Sequence, residues 1–277
     1  MEKVKKSNVN ILLLSICCVL IVISSVYAYT TVKSYNEYID SIKNNNSLNP
    51  LLPLNSAFTY WIGNGHGLTA HRVFYYVMFF GAVIPCIITV IKERKNAAQN
   101  NSASRYLSVF CTSGLVGFIP LIVNMISTMM FIPADRPDSI YDIYYNVIST
   151  DFLSELFYSH PIMYELFYIL LVSVICGLIG CFGFALAKLC GSRFIALIVP
   201  ECIIGVLHLV DKYYFDNFEM EKGVSLINLS KNAASMMVNI KTVLIEIVIL
   251  FAFVVVLYSV NSARISVKKG RKEVAAT

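Results

Sequence analysis

Apolar and polar residues separate into long blocks along this chain. Val73–Ile91 (VFYYVMFFGAVIPCIITVI) runs for 19 residues without a charge, and Tyr106–Ile132 for 27. A helix needs roughly 20 residues to cross about 30 Å of hydrocarbon, so each block is long enough to span a membrane. Four further blocks, Ile11–Tyr29, Ile162–Lys188, Phe194–Val210 and Ile240–Val260, complete six predicted spans. They leave a short polar loop, Lys92–Arg105, and three longer polar segments, Thr30–Arg72, Ala134–His160 and Asp211–Asn239. The pattern predicts an all-α integral membrane protein, a single transmembrane domain over residues 1–277, organised around the paired blocks from Val73 to Pro133.

Charge gives the set of spans a direction. Lys3, Lys5 and Lys6 precede the first span, Lys92, Arg94, Lys95 and Arg105 surround the short loop, Lys188 and Arg193 flank a tight turn, and the tail carries Arg264, Lys268, Lys269, Arg271 and Lys272. These positions hold 14 of the 22 basic residues, and they alternate with segments that hold most of the 17 acids. Basic loops stay in the cytoplasm, so both termini are expected to be cytoplasmic and the three longer segments external. The first run ends in Val26-Tyr27-Ala28, the small-residue pattern of a signal-peptidase site, but its apolar core is nearer in length to a span than to a signal peptide.

Composition agrees with this class. Apolar residues make up 57% of the 277, charged residues 14%, and the mean hydropathy is +0.68, against about 25% charged residues in an ordinary soluble domain. The net charge of +5 therefore reflects span ends and not a nucleic-acid surface. All eight cysteines fall within or at the edges of apolar runs, which offers neither a disulfide framework nor a CxxC metal site. His66 and His71 lack a spaced carboxylate or cysteine that would complete a metal site. HExxH, G-x-S-x-G and phosphate-loop patterns are absent, so no catalytic residue and no bound cofactor is expected, and any nucleotide would be bound by another chain.

Several local signals refine the spans. Pro161 should open the fourth span from its first turn. Gly177, Gly180, Gly183, Ala185 and Ala187 form a small-residue face on which another helix could pack closely. Residues Ile140, Tyr144, Val147, Ile148, Phe152 and Leu156 recur at helical spacing, which predicts an amphipathic surface helix. The patch Phe58–Gly67 contains the only tryptophan, and its place before a span suggests interfacial anchoring, with substrate contact through Tyr60 and Trp61 as the alternative. Glu201 follows Pro200 midway along the fifth run, where an ionised side chain costs about 2.5–3.5 kcal/mol. His208 lies two turns along the same face. Two readings stay open: a transport path or gate using Glu201 and His208, or a protonated Glu201 that satisfies the carbonyl freed by Pro200. Glu165 and Glu246 are expected to reach the interface from the ends of their spans.

Short motifs give the chain a resemblance. Trp61-Ile62-Gly63, Pro85, Lys92-Glu93-Arg94, Arg105-Tyr106-Leu107, Pro120-Leu121-Ile122-Val123-Asn124 with Pro133, and His160-Pro161-Ile162-Met163-Tyr164 occur in order over roughly residues 58–212. In this respect the chain resembles the ABC-2-type permeases of Gram-positive bacteria. The resemblance implies the membrane subunit of an ATP-driven exporter in the cell membrane, with a separate ATPase subunit as partner and a second permease subunit completing a homo- or heterodimer among membrane lipids. ATPase coupling would fall on Glu93, Arg94 and Arg105 in the loop 92–105. The exported compound would be a peptide, an antibiotic or lipid-like. The chain departs from the pattern in its short loop and in a leader too short for an elbow helix. A different class, a sensor or assembly subunit that binds a ligand or partner through its outer segments, is the alternative; an intramembrane enzyme would rest on Glu201 and His208 alone.

Overall fold

The computed structural model of the chain describes residues 2–44, 56–62, 69–95, 102–141, 153–211, 213, 225–227 and 240–274. Among the described residues the fold is helical without strands: α1 (Glu2–Asn44), α2 (Ala57–Tyr60), α3 (Thr69–Lys95), α4 (Ser102–Phe131), α5 (Ser154–Ser159), α6 (Pro161–Cys190), α7 (Arg193–Val210) and α8 (Ile240–Val274), with a 3₁₀ turn at Ser139–Tyr141. Six of these, α1, α3, α4, α6, α7 and α8, are long and apolar enough to cross a membrane. The chain is a multi-pass membrane protein. Only helices or closed barrels satisfy every backbone amide inside a bilayer.

Helix ends overrun the apolar blocks. The first span was expected to stop at Tyr29, but α1 continues to Asn44, and in the added turns Lys33 and Glu37 pair at 3.8 Å across one helical turn. Likewise α3 extends to Lys95 and α4 starts at Ser102, so the predicted loop 92–105 is helical at both ends. Hydropathy marks where water begins, whereas a helix ends only where its backbone hydrogen bonds stop.

The central element is α6, not the α3–α4 pair. Of its apolar window 72% is buried, and it packs against α3, α4, α7 and α8. Its small-residue face does what the sequence predicted. Gly177 lies against Phe110, Gly180 against Ser113 and the Ala82 carbonyl, and Gly183 against Val83, Cys86 and the Ala196 carbonyl. A side chain at Gly180 would collide with Ser113 and sit 2.9 Å from the Ala82 oxygen, so the backbones of α3 and α6 touch here because nothing stands between them.

Both ends of α6 follow from local chemistry. Pro161 occupies the first turn, where a missing N–H costs nothing, and Gly191 closes the other end in the left-handed region (φ 67°), its N–H bonding the Ala187 carbonyl at 3.0 Å. Ser192 then caps α7, its Oγ accepting from the Ile195 N–H. Two residues thus reverse the chain. The amphipathic helix expected across Ile140–Leu156 is interrupted: Leu153 adopts a left-handed conformation (φ 61°) immediately before α5, Ile140 is exposed, and residues 142–152 lie outside the described ones.

A polar latch ties α1, α2 and α4 together. Asn124, buried in α4, accepts from the Ile62 N–H at 3.1 Å and donates to the Ser24 carbonyl of α1 at 2.8 Å. Beside it Trp61 donates its Nε1–H to the Leu121 carbonyl at 3.4 Å and is only 1% exposed. Trp61 is therefore a core residue and no interfacial anchor. Its sequence position before a span is that of an aromatic belt, but a partner sixty residues away takes it inside.

Candidate functional site

Glu201 sits near the middle of α7, facing an open groove of about 430 Å³ against α3 that Tyr76, Val77, Phe80, Leu197, Ile198 and Cys202 also line. Its Oε1 is sealed and makes no hydrogen bond among the described residues. The preceding Pro200 removes one helical N–H and so frees the Ala196 carbonyl. That carbonyl packs over Gly183 of α6, and Oε1 of Glu201 has no hydrogen-bond partner among the described residues, so this oxygen does not satisfy it.

His208 continues the same face towards the end of α7. Its Nδ1 lies 3.2 Å from Ser225 Oγ, and the Ser225 N–H donates to Asp211 Oδ2 at 2.9 Å. Tyr76 of α3 meets the His208 ring edge-on, 6.0 Å between centroids, while also lining the groove beside Glu201. Glu201, Tyr76, His208, Ser225 and Asp211 thus make a polar file along α7 and its seam with α3. Every member can hold or pass a hydrogen bond or proton. Tyr76 was not singled out from the sequence, since an aromatic in a span carries no signal until α7 is placed beside it.

Two other acids, both expected at the interface, differ in burial. Glu165 was expected to reach the interface; it is fully buried in α6, and neither carboxyl oxygen has a partner among the described residues. The sequence held the signal: Glu165 and Gly183 are eighteen residues apart, five turns at about 3.6 residues each, so the glutamate shares the stripe that the glycines bury. Glu246, also expected to reach the interface, is half-buried and lines a pocket between α6, α7 and α8 that is open on one side, with its Oε2 sealed and unpartnered among the described residues.

The remaining predicted residues lie at the two ends of the bundle. Tyr60 is half-buried, its ring edge-on to Tyr35 of α1 at 6.1 Å. Glu93 and Arg94 fall in the last turn of α3 with side chains outside the described residues, as are residues 96–101, and Arg105 is half-buried in the first turn of α4. The same end gathers further cations. Lys188 Nζ lies 4.6 Å from the Phe184 ring centre and 5.6 Å from that of Tyr106, and Arg264 Nη1 donates to the Leu189 carbonyl at 2.7 Å. His66 lies outside the described residues, as does the side chain of His71, and among those described no three His, Cys, Asp or Glu gather as a metal site.

No family model matches the chain, and neither a curated protein nor a solved structure matches it.

Proposed function

We propose that the chain is the membrane-spanning subunit of an ATP-driven exporter of the ABC-2 type, resident in a bacterial plasma membrane with both termini in the cytoplasm. The observation that carries this reading is the latch. Two of the stretches that carry the resemblance, Trp61-Ile62-Gly63 and Pro120-Leu121-Ile122-Val123-Asn124, meet in one hydrogen-bonded unit through Trp61, Leu121, Ile62 and Asn124. Sequence motifs that share no physical contact could coincide by chance; these depend on each other.

In this proposal a separate ATPase subunit docks on the tip of the α3–α4 hairpin through Glu93, Arg94 and Arg105, and a second permease subunit completes the assembly. Because α3 carries both that tip and Tyr76, displacement of α3 changes the groove that Glu201 faces, and the polar file gates passage of a peptide, antibiotic or lipid-like compound. ATP chemistry belongs wholly to the partner. Isolation of the protein from its native membrane tests the reading: an ATPase subunit should copurify, and its absence from a complex that retains other stable partners would favour a sensor or assembly subunit. The gate has its own test. Glu201→Gln keeps the shape and should insert normally yet cut transport, and unchanged transport would remove Glu201 from the path.

A further inference from the structure

The cavity at Glu246 has a chemistry unlike the rest of the interior. It holds about 290 Å³ between α6, α7 and α8, open on one side and walled by Phe182, Pro200, Ile203, Ile249 and Phe253 among other apolar groups, and among the described residues Glu246 supplies its only charged side chain. One carboxyl oxygen of Glu246, Oε2, is sealed there without a hydrogen bond among the described residues, which is costly in apolar surroundings. A metal ion would need several oxygen ligands, whereas among the described residues one carboxylate lines the wall. A lipid chain would fill the apolar space and leave the carboxyl as orphaned as before.

We infer that this cavity is a binding site for a small lipophilic monocation, a free alkyl- or arylammonium compound whose charge pairs with Glu246 and whose apolar body fills the space between α6, α7 and α8. Phe182 and Phe253 add aromatic surface to the wall, of the kind that attracts quaternary amines when a ring face is presented. The volume suits a small ligand, at the lower end of small-molecule sites. Ile249 and Phe253 are partly exposed on the outer side of α8, so the site opens sideways, where lipophilic cations partition. The inference does not depend on the exporter reading, since binding is measured without ATP or a partner.

The test uses the full chain purified in an uncharged maltoside detergent, with benzyltriethylammonium as probe, its neutral all-carbon analogue as control, and equilibrium dialysis against protein-free micelles. The cation should bind at least about tenfold more tightly than the neutral analogue. Glu246→Gln should erase that preference, whereas Glu155→Gln, an exposed acid, should preserve it. Ile249→Trp should exclude both compounds by filling the cavity, which keeps the test decisive if the Glu246 variant does not fold. Equal binding of cation and neutral analogue, or full cation affinity in folded Glu246→Gln, would overturn the site. Displacement of the probe by added phosphatidylethanolamine would overturn the assignment to a free compound.

Discussion

Helices α6 and α8 are the two most apolar spans, yet they occupy opposite positions in the molecule. In α6, 72% of the apolar window is buried; in α8, the more apolar of the two, only 11% is. The difference lies in side-chain size. Glycines let α6 sit against α3, α4 and α7, whereas the large aliphatic and aromatic side chains of α8, such as Val248, Phe251 and Val256, point outward. In water the greasier helix would be central; in lipid, tails are as apolar as leucine, and close packing decides instead. Helix α8 is held to α6 mainly near one end, where Asn261 Nδ2 donates to the Ala185 carbonyl at 3.0 Å and Arg264 reaches Leu189. Its other half is free to form the wall of the Glu246 cavity.

Substitutions can break or sharpen this contrast. The largest effect is expected from Gly180→Leu, which drives a side chain into Ser113 and the Ala82 carbonyl; it should cost upward of about 3 kcal/mol and abolish a monodisperse peak in size-exclusion chromatography. A well-folded Gly180→Leu protein would remove α6 from the centre. Next comes Asn124→Ala, which orphans the Ile62 N–H and loosens α1; a loss of about 2–3 kcal/mol should appear as a lower thermal midpoint, and an unchanged midpoint would mean that steric fit alone holds the bundle. Glu165→Met should act in the opposite direction. It removes a buried carboxyl with no described partner and should raise stability by about 1–2 kcal/mol, whereas a fall would reveal that the acid has a partner among the remaining residues. The smallest effect belongs to exposed Ala252→Leu on α8, within about 0.5 kcal/mol in detergent. A large loss there would show that this face covers something.

Features governed by local chemistry were legible in the sequence. Six spans, the Pro161 start, the glycine face of α6 and the Gly191-Ser192 reversal all depend on residues within a few positions of one another. What escaped depended on partners far along the chain. Trp61 has the same local signature whether it faces an interface or a core, and only Leu121 decides between them. Asn124 is one polar residue in an apolar run, and its two bonds reach Ile62 and Ser24. In the candidate site, Glu201 and His208 were visible as expensive residues on one helical face, but Tyr76 comes from α3 and Ser225 from beyond α7. The Glu246 cavity needs three helices to exist, so no stretch of sequence contains it.

The bond from Asn124 to Ser24 also sets a timetable for biosynthesis. Its two ends are one hundred residues apart, and at roughly 5–20 residues per second the ribosome adds that interval in about 5–20 s. α1 is complete from residue 44 onward, and for much of the interval Trp61 and the Ile62 amide exist without the helix that will receive them. A chaperone or insertase that shelters a waiting tryptophan would act in this window, and truncated nascent chains ending before residue 124 should crosslink to it where longer ones do not.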